Sequence, residues 1–452
     1  MKVNPEIFRE YDIRGVPGKD FDESFAYELG RAFARLVKEK NGTRVSLGRD
    51  CRLSSPSLSD ALLKGMIDSG LEVFNLGIVT TPMLYFSLFH LNLDGGVQVS
   101  GSHNPPDQNG FKICIGKDTI WGEEIQRVRK IIDAKDFPDG NGAVRNYNLN
   151  PEYIDYIVKN IKLARPLKVV IDAGNGTAGP VAPKVIRGLG CEVTELYCDM
   201  DGTFPNHHPD PTVLKNVQEL RDTVVRLNAD IGIGYDGDAD RIGLIDEKGN
   251  VIWGDIIMIL LSRALLKEVP GATIIGEVKC SHRLYNDISA KGGKPIMWKA
   301  GHSLIKAKMK ETNAQLGGEM SGHIFYKHRW FGFDDAIYTS ARVLEILSRT
   351  DKKLSELLAD IPPAVNTPEI RIKSSDEKKF EIVAKVREHF KKLGYKVIDT
   401  DGMRLEFPDG WGLVRASNTQ PMLVMRFEAE SENRLSEIQK LVETQVNKYN
   451  QL

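Results

Sequence analysis

Lys168-Val169-Val170-Ile171 begins the pattern from which the architecture follows. Three β-branched residues in a short apolar run predict a buried strand. The connection Gly174-Asn175-Gly176-Thr177-Ala178-Gly179 comes next, then a helix from Val181 to Leu189 that stops at Gly190, then a second strand, Glu192-Val193-Thr194-Glu195-Leu196. The same order of strand, loop, helix, glycine and strand recurs on both sides. Upstream, Phe25, Leu29, Phe33 and Leu36 mark a helix ending at Asn41-Gly42, and Arg44-Val45-Ser46-Leu47-Gly48 predicts a strand. Leu58, Leu62, Met66 and Ile67 mark a helix ending at Ser69-Gly70; the strand Leu71-Glu72-Val73-Phe74 and a loop from Gly77 to Pro82 follow. Downstream, the strand Thr273-Ile274-Ile275, a helix from His282 to Ala290, Gly292-Gly293 and the strand Pro295-Ile296-Met297-Trp298 repeat the plan. Such alternation predicts α/β units with parallel or mixed sheets covered on both faces.

From about residue 366 the pattern changes. Phe380, Val383, Val386 and Phe390 mark a helix ending at Leu393-Gly394. Strands Lys396–Ile398, Met403–Phe407, Gly412–Arg415 and Leu423–Phe427 then follow, with turns at Asp401-Gly402 and Pro408-Asp409-Gly410. A closing helix carries Leu435, Ile438, Leu441 and Val442. This predicts a C-terminal α+β domain with an antiparallel sheet. The expected divisions are 1–150, 151–253, 254–363 and 364–452, with Ile361-Pro362-Pro363-Ala364-Val365 as the last linker.

Composition narrows the function. The 452 residues carry 61 Lys and Arg against 62 Asp and Glu, a net charge of -1. That balance gives no global signature for nucleic acid or an anionic membrane. The apolar run near Ile256 to Leu261 is interrupted by Ser262 and Arg263, which predicts a buried helix and no membrane span. The first residues, Met1 to Glu6, have no apolar signal core, and five cysteines without a CxxC fit free thiols in a reducing cytoplasm. Nothing in the sequence specifies an oligomeric state.

Four stretches carry chemistry. Asp236-Gly237-Asp238-Ala239-Asp240-Arg241 places three carboxylates at alternate positions among small residues, a set suited to Mg²⁺ or Ca²⁺. An EF-hand is excluded: Arg241 stands where the sixth position needs glycine, and Ile242-Gly243-Leu244-Ile245 predicts a strand. Val99-Ser100-Gly101-Ser102-His103-Asn104-Pro105-Pro106 follows the strand Gly96–Val99; it reads as a turn, or as a device that holds the Ser102 hydroxyl out for chemistry. Gly317-Gly318-Glu319-Met320-Ser321-Gly322-His323 would, if extended, put a carboxylate, a hydroxyl and an imidazole on one side, able to read sugar hydroxyls and move a proton. Arg415-Ala416-Ser417-Asn418-Thr419-Gln420-Pro421 forms a donor-rich cup for a phosphate dianion, to which Arg426 adds charge. A fifth stretch competes with these. Gly174 to Gly179 matches G-x-G-x-x-G with Glu195 about twenty residues on, the pattern of an NAD-dependent dehydrogenase; that is the rival reading, and a tight ligand-free strand-to-helix connection is preferred to it.

In this order the motifs resemble the α-D-phosphohexomutase family, in its phosphomannomutase/phosphoglucomutase branch. The stretches that carry the resemblance are Tyr11 to Gly15, Ser100 to Lys112, Asp236 to Arg241, Gly318 to His323 and Arg415 to Pro421. It implies four domains around a central cleft: three related α/β domains and a C-terminal one. It implies that Ser102 is phosphorylated and that Asp236, Asp238 and Asp240, with the Ser102 phosphate, bind Mg²⁺. Glu319 and Ser321 would bind sugar hydroxyls, and Arg415, Ser417, Asn418 and Thr419 the phosphate that is not reacting. Arg14, Lys112, Arg241, Lys279, His302 and His323 would line the cleft, flanked by Tyr11 and His103. The implied reaction interconverts hexose 1-phosphate and 6-phosphate through a 1,6-bisphosphate, which also acts as activator, with His323 or His302 as general base. Glu-Met-Ser and Ser-Asn-Thr-Gln favour mannose or glucose over the phosphoglucosamine mutases. Ala239 replaces a glycine common in relatives, with little effect expected. A non-catalytic sugar-phosphate sensor is the remaining alternative class.

Overall fold

A computed structural model describes residues 4–375, 377–417 and 421–450. Four sheets succeed one another along the chain. The first is mixed: Gly95–Val99, Arg44–Arg49, Glu72–Ile78 and Ala143–Asn146 run parallel, Asn109–Ile115 is antiparallel to Gly95–Val99, and Ile13–Gly15 pairs antiparallel with Asn109–Ile115 at the edge. In the second, Ile231–Tyr235, Lys168–Asp172 and Glu192–Leu196 are parallel, with Ile242–Ile245 antiparallel at one side. The third has Lys294–Trp298, Thr273–Glu277 and Leu316–Gly318 parallel, with Ile324–Tyr326 antiparallel. The fourth is antiparallel throughout. It includes two strands the periodicity did not show, Val365–Asn366 and Ile370–Lys373. The apolar run near Ile256 lies in the buried helix Gly254–Glu268, and among the described residues no helix is long and apolar enough to cross a membrane.

Two local expectations fail. Gly77 and Ile78 finish a strand, and Thr80 caps a helix, Thr81–His90, where a loop was expected. The helix is apolar all round because it is buried all round, so it has no stripe for periodicity to find. Phe380 also leaves its assigned face: it is 56% exposed, and Ile382, Val383, Val386 and Phe390 form the packed side of the helix Lys379–Lys392.

The Thr81–His90 helix joins domains. Its Phe86 stacks on Trp330 at 5.8 Å and meets Tyr153 edge-on at 5.4 Å, bringing residues of the first three domains into one continuous core. Each such aromatic contributes about 2 kcal/mol by burial. The fourth domain has a core of its own, which includes Val386, Phe390, Leu405 and Phe427. It docks on the third through buried polar groups. Arg404, stacked on Trp411 at 3.9 Å, donates to the carbonyls of Val278 at 2.6 Å and Cys280 at 2.7 Å. Glu428 accepts from Ser281 Oγ at 2.7 Å and from Trp411 Nε1 at 3.0 Å.

Candidate active site

Each α/β domain repeats one device. A parallel strand ends in a loop, and the chain returns along an antiparallel neighbour. Gly95–Val99 returns as Asn109–Ile115, Ile231–Tyr235 as Ile242–Ile245, and Leu316–Gly318 as Ile324–Tyr326. The three loops between them are the serine, aspartate and glutamate motifs. The fourth motif follows the strand Gly410–Ala416, which pairs antiparallel with Met422–Ala429, and its described part includes Arg415, Ala416 and Ser417. Asn418, Thr419 and Gln420 lie outside the described residues.

The first two loops touch. Ser102 is buried, its Oγ donates to Asp236 Oδ2 at 2.8 Å, and His103 Nδ1 lies 3.1 Å from Ser102 Oγ. The approach needs Gly237: a Cβ there would sit 2.4 Å from the Ser102 carbonyl oxygen. Asp236 Oδ1 accepts the N–H groups of Asp240 and Arg241, each at 3.1 Å, which curls the loop over its own carboxylate. Ala239 has φ 61°, a left-handed conformation that costs a non-glycine residue about 1 kcal/mol. The position therefore favours glycine on backbone grounds, and Ala239 holds a conformation that its sequence context did not reveal.

Charge decides what this loop can hold. Lys112 Nζ lies 2.6 Å from Asp238 Oδ2 and 2.5 Å from Asp240 Oδ2, and Thr81 and Ser100 hydroxyls also donate to Asp238. Burial alone would raise the Asp238 carboxyl, but Lys112 outweighs it and holds the group low. Asp236 goes the other way: burial, then Asp240 and Asp238, push it well above the usual carboxylate range. One ammonium thus contacts two of the three carboxylates, and Arg241 is the first cation acting on Asp236. Asp238 Oδ1 and Asp240 Oδ1 are buried with no hydrogen-bond partner, and ligand oxygens of all three residues lie within 4.8 Å of one another. Hard, orphaned, converging oxygens fit a divalent cation.

Around the aspartates stand the cleft residues. His323 Nε2 accepts from Arg241 Nε at 2.9 Å, and its Nδ1 lies 2.9 Å from Asp334 Oδ2. A guanidinium only donates, so the lone pair of the ring is on Nε2 and the proton on Nδ1. His302 stacks beside it at 5.8 Å and Tyr11 meets His302 at 6.0 Å. Burial, then Lys306, keeps His302 well below its ordinary range; burial, then Arg241 and Arg14, does so for His103. Glu319 Oε1 accepts the Gly301 N–H at 2.5 Å and Oε2 accepts from Ser321 Oγ at 3.3 Å. Lys279 Nζ lies between Glu277 at 3.8 Å and Glu369 at 3.7 Å. Arg415 Nε pairs with Asp401 at 3.0 Å. Arg14 is held by Asp12, Nε to Oδ1 at 2.8 Å.

Comparison with known proteins decides the family. Four descriptions of Phosphoglucomutase/phosphomannomutase domains match in order: alpha/beta/alpha domain I over residues 5–139, domain II over 151–249, domain III over 253–365 and the C-terminal domain over 369–445. The chain belongs to the phosphoglucomutase/phosphomannomutase family. A phosphomannomutase/phosphoglucomutase of Pseudomonas aeruginosa is 46% identical over 440 residues, 97% of this chain and 95% of that one. A phosphoglucomutase of Neisseria meningitidis is 48% identical over 440 residues, 96% and 95% of the two chains. A family member from Burkholderia thailandensis superposes with a TM-score of 0.94 at 44% identity, covering 99% of this chain and 98% of that one. An Aspergillus fumigatus N-acetylphosphoglucosamine mutase, solved in complex with glucose 1,6-bisphosphate, shares the fold at 13% identity, with a TM-score of 0.63 over 100% of this chain and 97% of that one.

Several site expectations change within this family frame. Residues 319–322 are not extended: they form the turn of the Leu316–Gly318 and Ile324–Tyr326 hairpin, with Gly322 at φ 90° and its N–H bonded to the Glu319 carbonyl at 3.0 Å. Glu319 and Ser321 meet by that turn. His323 lies past it and faces Arg241. Arg426 donates to the Lys279 carbonyl at 2.6 Å, so it fastens the domain junction. Glu195 pairs with Arg187 at 2.5 Å. A Cβ on Gly176 or Gly179 would strike the backbone of Gly237 or Cys198, which makes those glycines packing residues of the Gly174–Gly179 connection. Sequence reading missed Thr81, Asp334 and Glu277. None lies in a motif; only burial exposes them.

Behind His323, the neighbour of Asp334 carries a separate consequence. Asp335 caps the helix Ala336–Ser348 and accepts from the Tyr153 hydroxyl at 2.8 Å. Burial is the main cause that pushes its carboxyl up to about 7. The folded protein therefore holds a proton there from about pH 4 to about pH 7 that the unfolded chain releases, and this stability is lost as pH rises through 7. An asparagine in its place would cap equally well without titrating. Asp335→Asn is expected to raise the melting temperature relative to the parent at pH 8 and to give a smaller gain at pH 5; equal differences at both pH values would contradict the assignment.

Proposed function

We propose that the chain interconverts hexose 1-phosphates and hexose 6-phosphates, of mannose, glucose or both, through phospho-Ser102 and a hexose 1,6-bisphosphate. The observation that carries the proposal is the contact of two loops: a buried serine hydroxyl 2.8 Å from a carboxylate of a cation-ready triad. Ser102 carries the phosphoryl group, and Asp236, Asp238 and Asp240 hold Mg²⁺. A cation held there would neutralise charge on the transferred group. Lys112, Arg14 and Arg241 add fixed positive charge beside it, so the work of the site is positioning and charge stabilisation. The free sugar hydroxyl attacks phosphorus, its P–O bond forms as the P–Oγ bond of Ser102 breaks, the hydroxyl proton passes to His323 Nε2 once Arg241 turns to phosphate, and a proton returns to the departing Ser102 Oγ to restore its hydroxyl. His302 is the second choice of base.

Glu319 and Ser321 receive sugar hydroxyls in either orientation. Arg415, Ser417, Asn418 and Thr419 grip the distal phosphate, with Lys279 and Tyr11 nearby. The bisphosphate turns over and returns its other phosphate to Ser102. A free bisphosphate activates by restoring phospho-Ser102 when it has been lost. The separate core of the fourth domain supports a pivot near Pro362-Pro363, so that the phosphate cup releases and regrips.

A coupled assay with glucose 1-phosphate, mannose 1-phosphate and glucosamine 1-phosphate tests this. Turnover of glucose or mannose phosphate at least about tenfold above that of glucosamine phosphate is expected, a difference the polar contacts of one sugar substituent can supply. Binding without turnover of any of the three would make the protein a sensor.

A further inference from the structure

One buried guanidinium, outside every motif, ties down the serine loop. Arg52 is fully buried. Its Nη1 donates to the carbonyls of Pro105 at 2.5 Å and Gln108 at 3.0 Å, and its Nη2 to those of Ser102 at 2.8 Å and Asn104 at 2.6 Å. Four main-chain oxygens of one loop converge on two nitrogens. Asp50 lies 3.2 Å from Arg52 Nε and also accepts the Gly101 N–H at 2.9 Å, so the pair fixes both sides of Ser102. The aromatic ring of Phe204, from the second domain, covers the guanidinium at 5.1 Å.

The loop needs this help. Ser102 sits at φ 49°, left-handed backbone that a serine adopts at a cost of about 1 kcal/mol. Gly, Ser, Asn and Pro side chains bury little apolar surface to offset that cost. Without a cation, four carbonyl dipoles turned inward would repel, and the loop would relax to an ordinary turn. Arg52 holds the Ser102 carbonyl from one side while Gly237 backs it from the other. The direction of Oγ follows, because the same residue's N–H is fixed by Ser100 Oγ at 2.9 Å.

We propose that Arg52, oriented by Asp50 and covered by Phe204, is a positioning residue for phosphoryl transfer: it aims Ser102 Oγ along the line of attack. The proposal rests on Ser102 being the phosphoryl carrier. A misplacement of about 1 Å costs about 100-fold in rate. Lysine keeps the charge, but its single ammonium lacks the planar fork that serves separated carbonyls.

The test is single-turnover phosphorylation of dephosphorylated enzyme by glucose 1,6-bisphosphate, quenched and followed by intact mass. In this step the sugar P–O bond breaks, the P–Oγ bond of Ser102 forms, and the serine proton ends on the sugar oxygen. Arg52→Lys is expected to slow the step about 100-fold, lower the steady-state kcat by the same factor and leave KM for glucose 1-phosphate within about threefold. Added methylguanidinium should recover part of the rate in Arg52→Ala and none in the parent. Asp50→Asn should show the same split between kcat and KM at about tenfold, and it decides the matter alone if both Arg52 variants fail to fold. Transfer within about threefold of the parent in a folded variant, or a loss of kcat that only tracks the folded fraction without rescue, overturns the role of Arg52. A parent enzyme that takes no phosphate overturns the Ser102 assignment and this proposal together; a parent that is phosphorylated normally beside an unaffected Arg52→Lys overturns this proposal alone.

Discussion

Ser102→Ala is expected to lower mutase kcat by about 10⁴-fold or more and to abolish the phosphate adduct in intact-mass spectra. The size follows from the proposed cycle. Both half-reactions pass through Ser102 Oγ, so no step bypasses it, whereas loss of a residue that only stabilises charge costs about 10²- to 10³-fold. The substitution should fold. Alanine removes one donor to Asp236 Oδ2, worth about 1–3 kcal/mol where the acceptor stays buried, and leaves the Arg52 contacts to the loop carbonyls intact. Substrate binding should survive, since the groups proposed to hold the sugar and the distal phosphate are on other loops. Activity above about one per cent in Ser102→Ala, or an adduct that persists on another residue, would sink the phosphoserine route.

Lys112→Met should have the largest effect on stability. Lys112 is almost fully buried and is the counter-ion of Asp238 and Asp240, with Asp236 next to them. Burial opposes its charge, but Asp238 and Asp240 together push its ammonium well above the ordinary lysine range. A raised lysine contributes its full stabilisation below about pH 10 and loses it only at higher pH, while a depressed Asp238 contributes above about pH 4 and loses it only in acid. Both contributions are therefore complete at neutral pH. Breaking such a pair leaves buried, uncompensated carboxylates, a loss of about 3–5 kcal/mol. A divalent cation that binds only the folded site repays part of it, by about 2.7 kcal/mol at a hundred times its Kd. The melting temperature of Lys112→Met should fall in EDTA and recover with excess Mg²⁺, by a wider margin than the parent shows. Equal Mg²⁺ shifts in the two proteins would argue against a cation in this triad.

How much of this was legible in the sequence depends on the kind of signal. Surface helices such as Glu23–Glu39 follow from an apolar stripe, and Lys168–Asp172 from β-branched runs. The Thr81–His90 helix was invisible because complete burial erases periodicity. The aspartate loop was legible because three carboxylates at alternate positions have few other uses. The conformation of the glutamate turn was left open by the sequence: glycine spacing marks where a chain bends without giving the bend. Arg52 and Asp334 act from other segments of the chain, as in Arg52 to Gln108 and Asp334 to His323. No spacing rule reaches them, and only the folded contacts show that they matter.

The four motifs, one from each domain, grip as separate tips on the proposed cycle. On the proposed cycle the bisphosphate is a multivalent ligand. Each tip alone needs only modest affinity, because a ligand released by one stays at the effective concentration that the other three impose, on the order of millimolar for short tethers. Opening a single grip therefore frees the molecule to rotate without freeing it to diffuse. The spreading of recognition over four domains is what lets the site let go of its intermediate and still keep it.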